Sequence, residues 1–374
     1  MKSYKYLIMP FLCLVFFNNC FCFENFYEVK KMVVSVPVAD LMIKPELPDY
    51  KKNKENIKYP VFGYSEYDDF EHSNNPLLDS QLLLNDKLFL YGTSGDWLVV
   101  GAIEQPTYDK QTRTFVPKLG CIKKDQAVFV QDFQSCNLVV KNQWANIYKS
   151  YSNEKDDNSI LMKVSIGTKL KGDAVEPDSY MVFLPYGKVG VIKAEDVYFV
   201  DEKIEESVDK IRESLYETAQ TFFGFPYSWG GRSSWDFENK KQQTGIDCSS
   251  FINLVYRANG FEIPRDANDQ YLFCNHIVNG SDLKPGDLIF FESDNRKGKM
   301  YHVLMYLGFN LIMECDGQNV FRTRSITDFE LFDSFVENMQ SGKEYNGKKV
   351  YFGSFLNKPE TLQGVRTFFK GGSE

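Results

Sequence analysis

The sequence predicts an α+β domain that follows two small β-barrels, and three observations indicate this. From Val33 to about Val200 the chain consists of short β-type runs separated by polar turns, with period-2 or fully apolar character. From Ile204 the apolar spacing becomes that of a helix, and a second helical pattern begins at Cys248. Strand-like runs follow this second helix, so we expect helices packed on an antiparallel sheet.

A repeated pattern favours two barrels over a single sandwich. A turn with Gly-x-Trp at residues 94–97 is followed by Gly-hydrophobic-Ile at residues 120–122, and residues 186–192 repeat the pattern more weakly. We therefore predict one barrel over residues 23–135 and a second over residues 136–203.

The third domain is predicted over residues 204–360. Its first helix carries one apolar stripe, which ends before Gly224 and Pro226 and consists of Ile204, Val208, Ile211, Leu215, Ala219 and Phe222. A second helix is expected over residues 248–258, with strands near residues 287–292, 301–307 and 311–315. Residues 361–374 are predicted to form a polar tail.

Composition and the N-terminus narrow the possible functions. A net charge of −8 gives no support for nucleic-acid binding. Lys2 and Lys5 precede a run of about 12 apolar residues, short of the ~20 that span a bilayer, and small residues precede a cleavage point after Cys22. We expect residues 1–22 to be a signal peptide, and the mature protein to be exported, periplasmic or extracellular, with no stable membrane span.

The cysteines and histidines argue against a metal. Five cysteines remain after residue 22, so at least one thiol stays unpaired, and no CxxC pair occurs. The chain has three histidines and no HExxH spacing. We therefore expect no metal site.

Cys248 and His302 are predicted to form a nucleophile and its base. Asp247 fits the N-cap of the second helix and Cys248 its first position, where the amide groups and the dipole face the thiol. A thiol at a helix N-terminus beside a histidine has its pKa lowered, which makes it a nucleophile. The alternatives are an inert buried cysteine and a structural strand histidine.

Glu314 is the candidate for orienting His302. A hairpin centred on Gly308 would pair positions that sum to 616, which sets Glu314 opposite His302 with Cβ atoms about 5 Å apart. A carboxylate there would orient the imidazole and stabilise its cation. The alternative is an exposed glutamate beside Asp316.

Five ordered motifs resemble those of NlpC/P60 cysteine peptidases, which are papain-like enzymes that cut bacterial cell-wall peptides. They lie at residues 226–231, 247–249, 263–266, 283–288 and 302–308, within a resemblance that spans residues 204–323. Residues 36–41 and 94–97 further resemble the bacterial SH3 domains of the dipeptidyl-peptidase VI-like, YkfC-like branch of this family.

The resemblance implies roles for individual residues. Cys248 matches the nucleophile, His302 the base, and Tyr227 a tyrosine whose hydroxyl helps to orient the site. The residues that match a pocket for the L-alanyl-D-glutamyl end of the substrate are Trp229, Asp247 and Ser249. Core packing for Trp229 and an ordinary helical position for Ser249 are the alternatives.

A further candidate, Asp86, aligns with an SH3 residue that receives the free amine of L-alanine in that branch; its alternative is a solvated position at a strand end. The chain departs from the family pattern at three places. Glu314 stands where the third catalytic residue is usually a histidine, Ser250 stands where glycine is common, and residues 235–243 are extra.

The sequence thus predicts an exported endopeptidase that hydrolyses the γ-D-glutamyl-L-diamino acid bond of peptidoglycan peptides, with a preference for a free N-terminal L-Ala. This function implies no metal and no organic cofactor. An amidase or acyltransferase on the same scaffold is one alternative. A catalytically retired SH3 protein that binds cell wall is another.

Overall fold

The computed structural model describes residues 30–44, 77–149, 159–200, 207–233, 245–317 and 322–356. The predicted signal peptide, the tail and the extra segment 235–243 lie outside these residues. The described part of the chain is rich in strands and contains few helices. None of its helices is long and apolar enough to cross a membrane.

The first β unit, residues 30–129, is a seven-stranded antiparallel sheet in the order β3-β2-β6-β5-β4-β1-β7. Its strands are β1 (Lys30–Val34), β2 (Val38–Met42), β3 (Leu78–Leu83), β4 (Lys87–Ser94), β5 (Trp97–Asp109), β6 (Thr114–Lys123) and β7 (Ala127–Phe129). Alternating apolar side chains such as Leu88, Val100 and Ile122 fill its interior.

The second β unit, residues 138–199, repeats the seven-stranded arrangement in the order β10-β9-β13-β12-β11-β8-β14. Its strands are β8 (Leu138–Val140), β9 (Trp144–Tyr148), β10 (Ile160–Ser165), β11 (Lys169–Glu176), β12 (Ser179–Leu184), β13 (Lys188–Lys193) and β14 (Val197–Phe199). Each unit has its own apolar core, as expected for separate small domains.

Helices and a third sheet make up the C-terminal domain. The helices are α1 (Val208–Gln220), α2 (Cys248–Ala258), α3 (Ala267–Phe273) and α4 (Asp328–Phe332). The strands are β15 (Asn275–Ile277), β16 (Leu288–Ser293), β17 (Arg296–Gly308), β18 (Leu311–Asp316), β19 (Arg322–Thr327), β20 (Lys343–Tyr345) and β21 (Lys348–Ser354). The sheet order is β15-β21-β16-β17-β18-β19, with β20 beside β21.

The predicted α+β organisation is confirmed for this domain. Helix α2 has the predicted bounds, and Gly260 takes a left-handed φ of 88° after its end. Helix α1 begins at Val208, because Ser207 caps it by accepting a hydrogen bond from the amide of Lys210 at 3.4 Å. Two apolar cores sandwich the sheet, one of which contains α1 and α2.

The C-terminal domain packs directly against both β units. Leu83 of β3 and Ile166, which follows β10, belong to the same apolar core as α1 and α2. A Cβ added to Gly230 would lie 2.8 Å from the carbonyl oxygen of Leu78, so the loop after Trp229 touches β3. This contact sets the N-terminal unit against the site described next.

Candidate active site

Cys248 is the first residue of α2, as the sequence predicts. Asp247 caps the helix by accepting a hydrogen bond from the amide of Ser250 at 2.8 Å, and Ser250 Oγ accepts one from the amide of Asp247 at 2.9 Å. The serine that replaces the family's glycine therefore completes a capping box. Cys248 is 6% exposed and lies in the first turn of the helix, where backbone amides lack carbonyl partners within the helix.

His302 on β17 is hydrogen-bonded on both sides. Its Nε2 lies 3.1 Å from Oε2 of Glu314, which leaves Nδ1 for the side-chain hydrogen bond with Cys248. A carboxylate, an imidazole and a thiol thus form one continuous chain. This is the arrangement that activates a cysteine nucleophile.

The surroundings of His302 favour its cation. Burial alone would lower the pKa of His302, but Cys248 and Glu314 outweigh it and raise the pKa to about 10. Burial would raise the pKa of Glu314, but His302 and Arg324 hold it below its usual value. The charged forms of both partners are therefore favoured at neutral pH.

The predicted hairpin register is wrong, although the predicted pair forms. Met305 pairs with Met313 and Tyr306 with Ile312, so positions sum to 618 rather than 616. The turn lies at Phe309 and Asn310, both with left-handed φ, beside an irregularity in the pairing. A shift of two residues keeps every side chain on its face, so Glu314 still reaches His302 from a diagonal position.

Arg265 connects the nucleophile to the first β unit, a role that the sequence analysis missed. Its guanidinium donates to both carboxylate oxygens of Asp247, at 3.0 and 2.7 Å, and to Ser249 Oγ at 2.9 Å. Its Nε donates to Ser80 Oγ on β3 at 3.1 Å. Asp247 and Ser249 are buried and engaged in holding the N-terminus of α2, beside the pocket role that the resemblance implies for them.

Tyr227 lies beside the nucleophile, as the resemblance implies. Burial first, and then the neighbouring Cys248 and Asp247, raise its pKa, so its hydroxyl stays neutral and can donate a hydrogen bond. Trp229 is half-buried in the following turn. Gly230 and Gly231 in that turn leave no room for a Cβ, which supports a purely backbone role.

The placement of Asp86 argues against its predicted role as the acceptor of a substrate amine. Its side chain is 2% exposed, and its carboxylate already accepts hydrogen bonds from Arg257, from Arg232 at 3.2 Å and from the amide of Leu83 at 3.0 Å. Two guanidinium groups already neutralise this carboxylate. Asp86 is therefore part of a buried contact between domains.

A second acidic group is more accessible. Lys118 Nζ lies 3.1 Å from Asp79 Oδ2 and 2.7 Å from Asp266 Oδ2, and the two carboxyl side chains are 16% and 30% exposed. Asp79 and Asp266 are the chain neighbours of Ser80 and Arg265, which meet beside the nucleophile. This cluster lies at the junction of the first β unit with the C-terminal domain.

Among the residues that the structure describes, no group of three or more His, Cys, Asp or Glu side chains could hold a metal ion. The five described cysteines are free. Burial raises the pKa of Cys274 and of Cys315, and it raises that of Cys121 to about 11, so these thiols are unreactive.

A cysteine at a helix N-terminus, hydrogen-bonded to a strand histidine that a carboxylate orients, defines a cysteine-peptidase type of site. Residues 224–336 match the NlpC/P60 family. The part of the chain that carries Cys248 and His302 is therefore a domain of the NlpC/P60 cysteine peptidase family.

Longer similarities extend into the β units. The γ-D-glutamyl-L-lysine dipeptidyl-peptidase of Bacillus cereus is 28% identical over 282 residues, which cover 73% of this chain and 77% of that protein. The Bacillus subtilis protein of the same name is 28% identical over 234 residues, covering 62% of this chain and 70% of that protein. A crystal structure of an NlpC/P60 family protein from Bacillus cereus has the same fold, with a TM-score of 0.62 at 24% identity over 87% of this chain and 99% of that chain.

Proposed function

We propose that this protein is an exported cysteine endopeptidase that hydrolyses the γ-D-glutamyl-L-diamino acid bond of peptidoglycan peptides. The observation that carries the proposal is the continuous set of contacts from Cys248 through His302 to Glu314. The Bacillus relatives, which are named γ-D-glutamyl-L-lysine dipeptidyl-peptidases, support the choice of bond.

The reaction follows from the geometry of these three residues. The thiolate of Cys248 attacks the carbonyl carbon of the γ-amide, and the amide groups at the N-terminus of α2 stabilise the oxyanion. His302 passes its proton to the departing amine as the C–N bond breaks. His302, now neutral, takes a proton from water, whose oxygen attacks the thioester; the C–S bond then breaks, the acid product leaves, and Cys248 is again a thiolate beside protonated His302. Glu314 stays ionised and orients the imidazole throughout.

The two β units are proposed to be SH3-like barrels, of which the first walls one end of the cleft. Their seven-stranded sheets and the contact of β3 with the loop at Gly230 support this. Export and a periplasmic or extracellular location are part of the same proposal, since peptidoglycan peptides are found there.

A preference for a free N-terminal L-Ala is also proposed, with a different acceptor from Asp86. Lys118 lies between the partly exposed carboxyl groups of Asp79 and Asp266, and the neighbouring Arg265 is already paired with Asp247, so negative charge is in excess here when both carboxyl groups are ionised. An ammonium group of the substrate would reduce this excess charge, whereas an acetylated amine would not.

The test is hydrolysis of a defined tripeptide, L-Ala-γ-D-Glu with a diamino acid, in its free and N-acetylated forms. We expect faster cleavage of the free peptide, release of the diamino acid, and no hydrolysis by Cys248→Ala, which changes little packing. Asp266→Asn should reduce the preference. Equal kcat/KM for both peptides would refute the proposed amine preference, and hydrolysis at the wild-type rate by Cys248→Ala would refute the proposed nucleophile.

Product analysis also distinguishes the alternatives. An amidase or acyltransferase would release a different fragment from the same muropeptide. A retired wall-binding protein would hydrolyse none, and its Cys248 would not react faster with a thiol-directed probe before denaturation than after it.

A further inference from the structure

The carboxylate that orients His302 is itself held by an arginine. Arg324 on β19 lies directly opposite Glu314 on β18. Its Nε and Nη2 both donate to Oε1 of Glu314, at 3.0 and 2.7 Å, whereas Oε2 faces Nε2 of His302 at 3.1 Å. The two oxygens of one carboxylate are thus divided between the arginine and the catalytic base.

We propose that Arg324 is a positioning residue of the reaction, which fixes the orientation of Glu314 and keeps it ionised through the whole catalytic cycle. This inference rests on the proposed function, because it assigns a role in the same site. Arg324 acts through Glu314, and its described contacts are with Glu314 and with Asp316, whose Oδ2 lies 3.5 Å away.

The reason lies in the changing charge of His302. When His302 is protonated, Glu314 has a cation on each side. When His302 gives its proton to the leaving amine it becomes neutral, and Glu314, whose side chain is 5% exposed, would then be a buried anion without a cation. A guanidinium cannot be deprotonated in a protein, so Arg324 remains a counter-ion at that stage.

Geometry gives a second reason. A carboxylate with one fixed oxygen cannot rotate away from the imidazole, and two donors on Oε1 fix it more firmly than one. The groups that face His302 are Cys248 from α2, Glu314 from β18, the ring of Phe291 from β16 and the neighbouring Tyr301. Arg324 is therefore the cation that contacts Glu314 on the side away from His302.

The experiment compares Arg324→Gln with Arg324→Lys. Both Arg324 and His302 hold the pKa of Glu314 low against the effect of burial. Activity that needs ionised Glu314 is lost as pH falls through this pKa, so removal of the arginine charge should move the acid limb of the kcat profile to higher pH. In Arg324→Gln we expect that shift together with a fall in kcat of about tenfold and little change in KM.

Arg324→Lys keeps the charge but replaces the planar pair of donors by one ammonium group. Its acid limb should stay at the wild-type position, while kcat falls because the orientation of Glu314 is less fixed. Lys349→Gln is the matched control, since it removes a cation that pairs with a carboxylate of the same sheet, Glu292 at 2.6 Å. This control should change neither kcat nor the profile.

The pH dependence of Cys248 alkylation by iodoacetamide gives a readout that needs no substrate. We expect its acid limb to move upward in Arg324→Gln and to stay in place in Arg324→Lys. If the wild-type protein cleaves no peptide, the proposed function fails and the alkylation profiles alone decide the role of Arg324. Profiles of Arg324→Gln that match the wild type, or equal losses of kcat in both variants without a shift, would overturn the inference.

Discussion

Replacement of Asp86 by alanine is expected to destabilise the fold and to leave peptide preference unchanged. Asp86 belongs to a buried network in which three anions meet three cations, so its net charge is zero. The anions come from both the first β unit and the C-terminal domain, and the members of the network are Asp86, Glu104, Glu262, Lys169, Arg232 and Arg257. Loss of Asp86 leaves one buried positive charge in excess.

The magnitude follows from the contacts that are lost. Asp86 accepts hydrogen bonds from two guanidinium groups and from the amide of Leu83, and all of these donors are buried. Removal of one partner from a buried ion pair costs about 3–5 kcal/mol. Asp86→Asn retains a hydrogen-bond acceptor and should destabilise the fold less than Asp86→Ala. Arg232→Met added to Asp86→Ala would restore equal numbers of buried charges, so the double variant should lose less stability than the sum of the two single variants.

Chemical denaturation with unchanged m-values gives these free energies, and kcat/KM for free and acetylated peptides tests specificity. Glu195→Ala is the control, because it removes one partner of an exposed pair with Lys193 and should change stability by at most about 0.5 kcal/mol. A cost below about 1 kcal/mol for Asp86→Ala, together with a lost preference for the free amine, would refute this reasoning and restore Asp86 as a substrate-binding residue.

Two further changes probe the site itself. Glu314→Gln should lower kcat with little change in KM. It should also move the basic limb of the pH profile downward, because Glu314 helps to raise the pKa of His302 to about 10 and activity is lost as pH rises through that pKa. Unchanged kinetics would exclude this role of Glu314. Gly230→Ala should lower the free energy of unfolding by at least about 1–2 kcal/mol, since φ is 72° and the new Cβ would lie 2.8 Å from the carbonyl oxygen of Leu78. Displacement of the neighbouring Trp229 should also raise KM. Chemical denaturation measures the first effect and peptide kinetics the second.

Local signals account for what the sequence predicted correctly. Asp247 before an apolar stripe predicted the cap, the start and the length of α2, because capping and periodicity depend on residues a few positions apart. The approach of Glu314 to His302 was also predictable, although the register was two residues off. Strand periodicity fixes the face of a side chain, whereas the turn geometry that fixes its partner depends on backbone angles at Phe309 and Asn310.

Contacts between distant segments account for what was missed. The contact of Arg324 with Glu314 depends on the register of β18 against β19, and no local pattern in the sequence indicates that pairing. The burial of Asp86 depends on arginines that lie 146 and 171 residues further along the chain. A single acidic residue at a strand end looks solvated until the packing of two domains is known.

The same contacts make the first β unit part of the active site. Arg265 is held on one side by Asp247, the cap of the catalytic helix, and on the other by Ser80 of β3. The backbone amide of Arg232, which follows the loop of Trp229, donates a hydrogen bond to Oε1 of Gln81 at 2.8 Å, and the guanidinium of Arg232 pairs with Asp86. Without the β unit, both buried guanidinium groups would lose partners beside the nucleophile, at a cost of several kcal/mol. We therefore expect the position of Cys248 to depend on the N-terminal unit as much as on the helix that carries it.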